Sequence, residues 1–318
     1  MAIFPVLAWM AFSLIYYGAP FPNTAYAKLG TGYGTGMLIM QGLEYMKDFV
    51  LTDPLLALII GKAVFDAVRS RNWQATLLGV GIILYVAYII VIGGDFMSGR
   101  FFAPPGFLAL CLLARAPVPQ WLTKQPKVVV LVAVGVLGAL VVMRVMEQPN
   151  YVFTSGIADE RSWYYYSNNG LFPVLKGWVT TGSKPIHQMV QKGVIYKLEA
   201  QRAGRPVVIW DGHAGMPGYY AGSDVHIVEP CALTDAFIAR LPALPGGRVG
   251  HYERPLPPGY AETALNAVPT TSIRALHPLL NDVTLATRAT LWADGRWGAI
   301  WRLLSGHYHY ETELYATE

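Results

Sequence analysis

The chain has 318 residues, of which 53% are hydrophobic and only 14% charged, with a formal net charge of +4. This slight basic excess comes without any run of Lys or Arg, which excludes an electrostatic nucleic-acid surface. Its two cysteines, Cys111 in an apolar stretch and Cys231 in a mixed one, exclude a disulfide framework.

Taken in chain order, the first half holds five apolar stretches: residues 1–17, 54–68, 75–93, 102–114 and 128–146. A straight helix needs about 20 apolar residues to cross roughly 30 Å of hydrocarbon. Residues 75–93 and 128–146 approach that length with no charge before Arg144. Residues 1–17 carry Pro5 near the start; they lack a basic leader and a small-residue cleavage site, so they read as a span and not as a signal peptide. Residues 54–68 carry Lys62 and Asp66, four apart and able to pair on one helix face. Residues 102–114 open with Pro104 and Pro105. The positive-inside rule then orients the set. Arg69 and Arg71 follow the second stretch, and Arg115, Lys124 and Lys127 separate the last two, so these loops are inside. Residues 18–53, 94–101 and everything from 147 on are outside. The expected organisation is a multi-span α-helical membrane region of about five spans over residues 1–146, followed by an extracytoplasmic α/β domain over 147–318. The location is the cytoplasmic (inner) membrane, with the lipid bilayer as a partner.

In the second half, residues 151–180 carry the cluster Trp163-Tyr164-Tyr165-Tyr166 and open as helix. Ser183 caps a helix that puts Ile186, Met189, Val190, Val194 and Leu198 on one face, and Gly204 and Pro206 stop it. Residues 207–210 read as a buried strand ending at Asp211, and 225–228 as a second strand ending at Glu229. Residues 233–241 are predicted helical, 242–258 a loop, and 274–305 mostly helical.

Three segments carry candidate chemistry. Tyr16-Tyr17-Gly18 is followed by Pro20, Pro22, Asn23, Thr24, Tyr26 and Lys28. It reads either as an interfacial anchor of tyrosines and one snorkelling lysine, or as a lysine presented to a lipid-linked phosphate. The loop Gly93-Gly94-Asp95-Phe96-Met97-Ser98-Gly99-Arg100 sets an acid and a base at membrane depth, where ionisable groups are costly and usually functional. Either Asp95 and Arg100 pair to close the turn, or Arg100 holds a phosphate while Asp95 meets a sugar hydroxyl. Its first residues also open the GGDEF signature of soluble cyclases, but apolar spans flank it and the second acid is missing. The third segment is spread out: Asp211-Gly212-His213-Ala214-Gly215 with Tyr219 and Tyr220, then Glu229, Asp235, and Gly250-His251-Tyr252-Glu253-Arg254. An acid at a strand end before a Gly-rich turn lines many ligand crevices, and it is equally a satisfied turn acid. His213 and His251 have no paired His or Cys spacing, so no metal site is assigned.

The runs YYGAPFPNTAYAK, GGDFMSGRFFAPP and LTDAFIARL…GHYERPLPPGY occur in this order in a family of bacterial membrane glycosyltransferases. With them, the chain resembles the C-terminal portion of the actinobacterial cell-wall arabinofuranosyltransferases that add terminal arabinose. The resemblance implies a partial GT-C architecture, a polyprenyl-phosphate sugar donor and a glycan acceptor on the cell envelope. It places Lys28 and Arg100 at the donor phosphate, and Asp95 and Asn23 at the donor sugar, with the Asp95–Arg100 ion pair as the other reading of Asp95. It places Asp211, His213, Tyr219, Tyr220 and His251 at the acceptor. The catalytic base of that family lies in an earlier outer loop, so it is expected in a separate N-terminal half and no catalytic residue is assigned here. Glu229 and Cys231 stand where an Asp and a Gly are expected. No cofactor is implied, and a divalent cation is left open. The competing expectations are a non-catalytic membrane subunit or sugar-binding partner of that N-terminal half, and a decayed fragment.

Overall fold

The computed structural model describes residues 3–29, 31–115, 124, 127–147, 155–160, 188–266 and 271–311. Helix α1 (Phe4–Tyr17) has Pro5 in its first turn and ends on Gly18 at φ 75°, whose N–H closes onto the Leu14 carbonyl. Helix α2 (Asn23–Lys28) is short. Helix α3 (Thr35–Thr52) runs straight to Asp53, whose carboxylate caps α4 (Pro54–Arg69) by accepting from the Leu56 N–H. Asn72 caps α5 (Trp73–Val91) in the same way. A 3₁₀ turn (Arg100–Phe102) leads into α6 (Ala103–Ala114), with its two prolines in the first turn, where a missing N–H costs nothing. Then follow α7 (Lys127–Glu147), α8 (Gln188–Ala203), β1 (Val207–Trp210), α9 (Gly215–Ala221), β2 (Val225–Val228), α10 (Tyr260–Asn266), α11 (His277–Arg288) and α12 (Arg296–Leu304).

The expected region of about five spans is overturned. Among the described residues, only α5 is long and apolar enough to cross a membrane. At a rise of about 1.5 Å per residue, its 19 residues reach roughly 28 Å. The others fall short: α1 has 14 residues, α4 has 16 with Lys62 and Asp66 on it, and α6 has 12. In α7 the described apolar part is Lys127–Leu140. A second correction concerns residues 18–53, expected as an outer loop. They hold two helices, and α3 is 18 residues long. Residues 233–241 form turns and one 3₁₀ turn (Ile238–Arg240) where a helix was expected. Strands form at 207–210 and 225–228 as expected, pairing in parallel with Val207 opposite Val225, but the first is not the buried strand expected: Val207–Ile209 are half-buried and Trp210 is exposed. The aromatic cluster at 163–166 and the Ser183 cap lie outside the described residues.

The chain divides into two compact units. The first joins Met1–Tyr33 to Val179–Gly247 and His251–Glu318. Its core gathers Ala27 of α2, Val228 of β2, Phe237, Ile238 and Leu241 of the following turns, Tyr260 of α10, and Leu279, Leu280 and Val283 of α11. Arg254 is buried within it and donates to three carbonyls, of Leu241 at 2.6 Å, Tyr252 at 3.1 Å and Ala27 at 2.8 Å. The second unit comprises Gly34–Trp178 and Arg248–Gly250. Its core joins Tyr45 and Phe49 of α3, Ile60 and Ala63 of α4, Ile82 and Ile89 of α5, Phe102 and Ala109. Gly42 lets α3 touch the backbone of α5: a Cβ there would lie 2.1 Å from the Ile90 carbonyl oxygen.

Candidate functional site

In the second unit, α5 ends in Gly93 and Gly94, both at positive φ. Gly94 lies so close to Tyr45 that a Cβ would fall 2.4 Å from its ring. This turn delivers Asp95 to the interior, 1% exposed, where it pairs with the Arg100 guanidinium at 2.6 Å. Gly250 closes over the same acid; a Cβ on it would lie 2.9 Å from the Phe96 nitrogen and 3.3 Å from an Asp95 oxygen. The loop is further fixed at three points. The Tyr45 hydroxyl donates to the Met97 carbonyl at 2.9 Å and accepts from the Phe101 N–H at 3.2 Å. The Ser98 hydroxyl donates to Asp48 at 2.7 Å. Ala158 exchanges backbone bonds with Phe96 and Ser98 at 2.7 and 2.8 Å.

Beside this loop is a cavity of about 270 Å³, lined by Phe49, Thr52, Leu56, Ser98, Arg100 and Glu160 among others. The Arg100 side chain remains 40% exposed and lies over the faces of Phe96 and Phe101, at 5.3 and 5.4 Å. Arg248 covers the Phe96 ring at 5.3 Å. Burial pushes the Glu160 carboxyl above its ordinary pKa; Arg100 and Arg248 pull it down and Asp95 adds to the rise. The arrangement is a pre-set guanidinium at a cavity wall, with a second arginine and an easily protonated carboxyl nearby. Such a wall suits a phosphate group. Sequence reasoning missed Tyr45, Asp48, Glu160 and Arg248. The first two sit on α3, taken for a loop, and the last two have no motif of their own.

In the first unit, β1 delivers Asp211 at its end, as expected. Its carboxylate accepts from Lys192 at 3.1 and 3.2 Å and from the Tyr196 hydroxyl at 2.6 Å. Lys192 and Tyr196 are one turn apart on α8. His213 stands 3.7 Å away. Burial acts to raise the Asp211 pKa, but the hydrogen bonds and charge of Tyr196 and Lys192 outweigh it and hold the carboxyl below its usual range. The same contact, with burial first, pushes the Tyr196 hydroxyl up to about 12. Tyr219 and Tyr220 follow on α9 with rings edge to face at 5.1 Å, and Tyr219 is 82% exposed.

The remaining expected residues lie elsewhere. The His251 ring meets the Cys231 sulfur at 3.1 Å. Burial first, then the Glu229 charge, pushes that thiol up to about 12, so it is no thiolate nucleophile at neutral pH. Glu229 accepts from the Cys231 N–H at 2.8 Å and from the Leu233 N–H. The Asn23 amide donates to the carbonyls of Ala232 and Leu233 at 2.9 and 3.1 Å, binding the start of α2 to that turn. Lys28 is the half-buried last residue of α2. It belongs to the first unit and Arg100 to the second. Among the described residues, no cluster of three His, Cys, Asp or Glu could hold a metal ion.

No protein-family model matches the chain, and no solved structure matches it. The chain is similar in part to the terminal beta-(1->2)-arabinofuranosyltransferase of Corynebacterium glutamicum. Identity is 29% over 133 residues, covering 35% of this chain and 18% of that protein. The chain thus matches under a fifth of that relative's length.

Proposed function

We propose that the chain is part of a membrane glycosyltransferase that takes a sugar from a polyprenyl-phosphate donor, and that the Arg100 cavity receives the donor phosphate. The observation that carries this reading is the Asp95–Arg100 pair, which sets Arg100 at the wall of a cavity whose other lining groups are apolar or neutral except Asp53, engaged in capping α4, and Glu160. The partial similarity to an arabinofuranosyltransferase supports it. In such a transfer an acceptor hydroxyl oxygen bonds to the anomeric carbon, its proton passes to a base, and the phosphate leaves with the electron pair of the broken bond. A cation held in place before the reaction stabilises that leaving charge without reorganisation. Asp95 orients Arg100 by occupying one side of its fork, and the exposed side is left for phosphate oxygens. Lys28, in the first unit, is a separate candidate cation for a donor phosphate, and Asn23 a candidate for the donor sugar. Arabinose is the donor sugar this relationship favours.

The acceptor glycan is assigned to the Asp211 side. Its carboxylate has lone pairs beyond those used by Lys192 and Tyr196, His213 is adjacent, and the exposed Tyr219 ring offers a face for a sugar ring. Tyr220 completes this set; His251, which packs on the Cys231 sulfur, is a separate candidate. The location proposed is a bacterial membrane crossed by α5. Arg69 and Arg71 precede α5 on the cytoplasmic side and the Asp95 loop follows on the other.

The test is binding of a polyprenyl-phosphate sugar to the purified full chain in detergent. Arg100→Lys keeps the charge but loses one of two parallel donors. It should weaken binding by about tenfold, near 1.4 kcal/mol, with an unchanged melting temperature. A lower melting temperature with unchanged affinity makes the ion pair structural and removes Arg100 from the site.

A further inference from the structure

A larger cavity, of about 720 Å³, opens at the other end of α5, bounded by the ends of α4 and α6. Phe65, Leu112 and Leu113 give it apolar walls, and Arg69 and Arg115 bring two guanidinium groups to it. The acid there, Asp66, is paired with Lys62 of its own helix. The lining is therefore cationic on balance. Arg69 is laid over the Phe65 ring, 5.1 Å from its centroid, which fixes its direction. The cavity floor is rigid. Gly79 of α5 meets Ala67 of α4 so closely that a Cβ would stand 2.8 Å from the alanine methyl, and the Thr76 hydroxyl donates to the Ala67 carbonyl at 3.1 Å.

We infer that this cavity binds the headgroup of an anionic phospholipid. The inference rests on the reading of α5 as a membrane span, and is independent of the sugar-transfer reading. Trp73, 69% exposed, opens α5 at this end. Trp at a span end marks the headgroup level of a bilayer, so the cavity sits at the depth where lipid phosphates lie. Its composition matches such a lipid in two parts: guanidinium forks for the phosphodiester and apolar walls for the first methylenes of the acyl chains. A small soluble phosphate would use the forks and leave the apolar walls wet.

The experiment uses the full chain in a non-ionic detergent, with melting temperature and native mass spectrometry as readouts. Phosphatidylglycerol, phosphatidylcholine and glycerol 3-phosphate are added separately. Phosphatidylglycerol should bind and raise the melting temperature by several degrees, while the other two should not. Arg69→Ala with Arg115→Ala should weaken its binding tenfold or more. Arg71→Ala, which removes an exposed arginine that does not line the cavity, should leave binding unchanged. Should the double variant fail to fold, Ala75→Trp fills the cavity without touching a charge and should abolish the same binding. Equal binding of phosphatidylcholine overturns the charge selectivity. An equal shift from glycerol 3-phosphate assigns the cavity to a soluble anion, and binding that survives Ala75→Trp places the lipid elsewhere. Loss of lipid binding leaves the Arg100 donor assay unaffected, so the two readings fail separately.

Discussion

At the scale of single residues, Asp235 is a buried and Glu160 a half-buried carboxyl, with opposite tendencies. Asp235 is 3% exposed and accepts from the N–H groups of Phe237 and Ile238 at 2.9 Å, from the Tyr260 hydroxyl at 2.9 Å, and contacts His226 at 3.3 Å. Burial acts to raise its pKa, but these bonds, His226 foremost, outweigh burial and hold it low. A carboxyl lowered on folding stabilises the fold above its unfolded pKa, near 3.9, and that stability is lost as pH falls toward the folded pKa. Asp235→Asn should cost on the order of 2–3 kcal/mol at pH 7. The deficit relative to wild type should shrink below about pH 4, as read by denaturant unfolding across pH. Glu160 is raised, and its neighbours are Arg100, Arg248 and Asp95. As pH falls it takes up a proton sooner than an ordinary glutamate and removes a negative charge from the cavity. Phosphate-donor affinity should therefore rise as pH falls from neutral toward the ordinary glutamate range, by roughly fivefold for a charge term near 1 kcal/mol. Glu160→Gln should bind tightly without that dependence. An unchanged pH profile in that variant would separate Glu160 from the phosphate.

At the scale of elements, the sequence pattern served best where burial and turn chemistry agree. The runs Val207–Trp210 and Val225–Val228 became paired strands because short β-branched segments between Gly, Pro and Asp have few alternatives. The Asp95–Arg100 pairing was one of two readings of an eight-residue loop, and the local turn achieves it. Helix α3 was hidden because Gly34, Gly36 and Gly42 with Gln41, Glu44, Lys47 and Asp48 make it look like loop, while its buried face is reduced to Tyr45 and Phe49. Glycine there serves packing. Gly42→Ala gains helix propensity of up to about 1 kcal/mol but drives a methyl into the Ile90 backbone, an overpacking cost of about 1–3 kcal/mol or more. With a contact at 2.1 Å to a carbonyl that cannot move aside, the cost wins and the melting temperature should fall. Gly61→Ala, with nothing within 4 Å of the new methyl, should raise it slightly. Equal shifts in the two variants would refute the close approach of α3 and α5.

At the scale of the whole molecule, apolar composition was a poor guide to the number of spans. Among the described residues one helix, α5, is long and apolar enough to cross; α1, α4 and α6 have 14, 16 and 12 residues, α4 carries Lys62 and Asp66, and length is a harder requirement than mean hydropathy. The grouping of Met1–Tyr33 with the C-terminal segments was likewise invisible in the sequence. Its ties are side chain to distant backbone, such as Asn23 to Ala232 and Arg254 to Ala27, and no local pattern encodes such partners.

The crossing by α5 is itself testable. Only 17% of its apolar window is buried within the protein, so most of its Leu, Ile and Val side chains face outward. In water that exposed surface would cost roughly 25 cal/mol per Å²; in lipid it costs nothing. If α5 crosses, its two ends lie on opposite faces. Arg69 and Arg71 sit just before it and favour the cytoplasm, and the Asp95–Arg100 pair after it is internally neutralised, so that end carries no opposing bias. In a background with Cys111 and Cys231 replaced by Ser, Ser98→Cys should react with a membrane-impermeant maleimide in intact cells. Arg71→Cys should react only after permeabilisation. Reaction at position 71 but not at 98 reverses the orientation and moves the Arg100 cavity to the cytoplasmic side, away from any sugar transfer outside the cell. Reaction at both or at neither, with the protein recovered in the soluble fraction, removes α5 as a span and the phospholipid site with it.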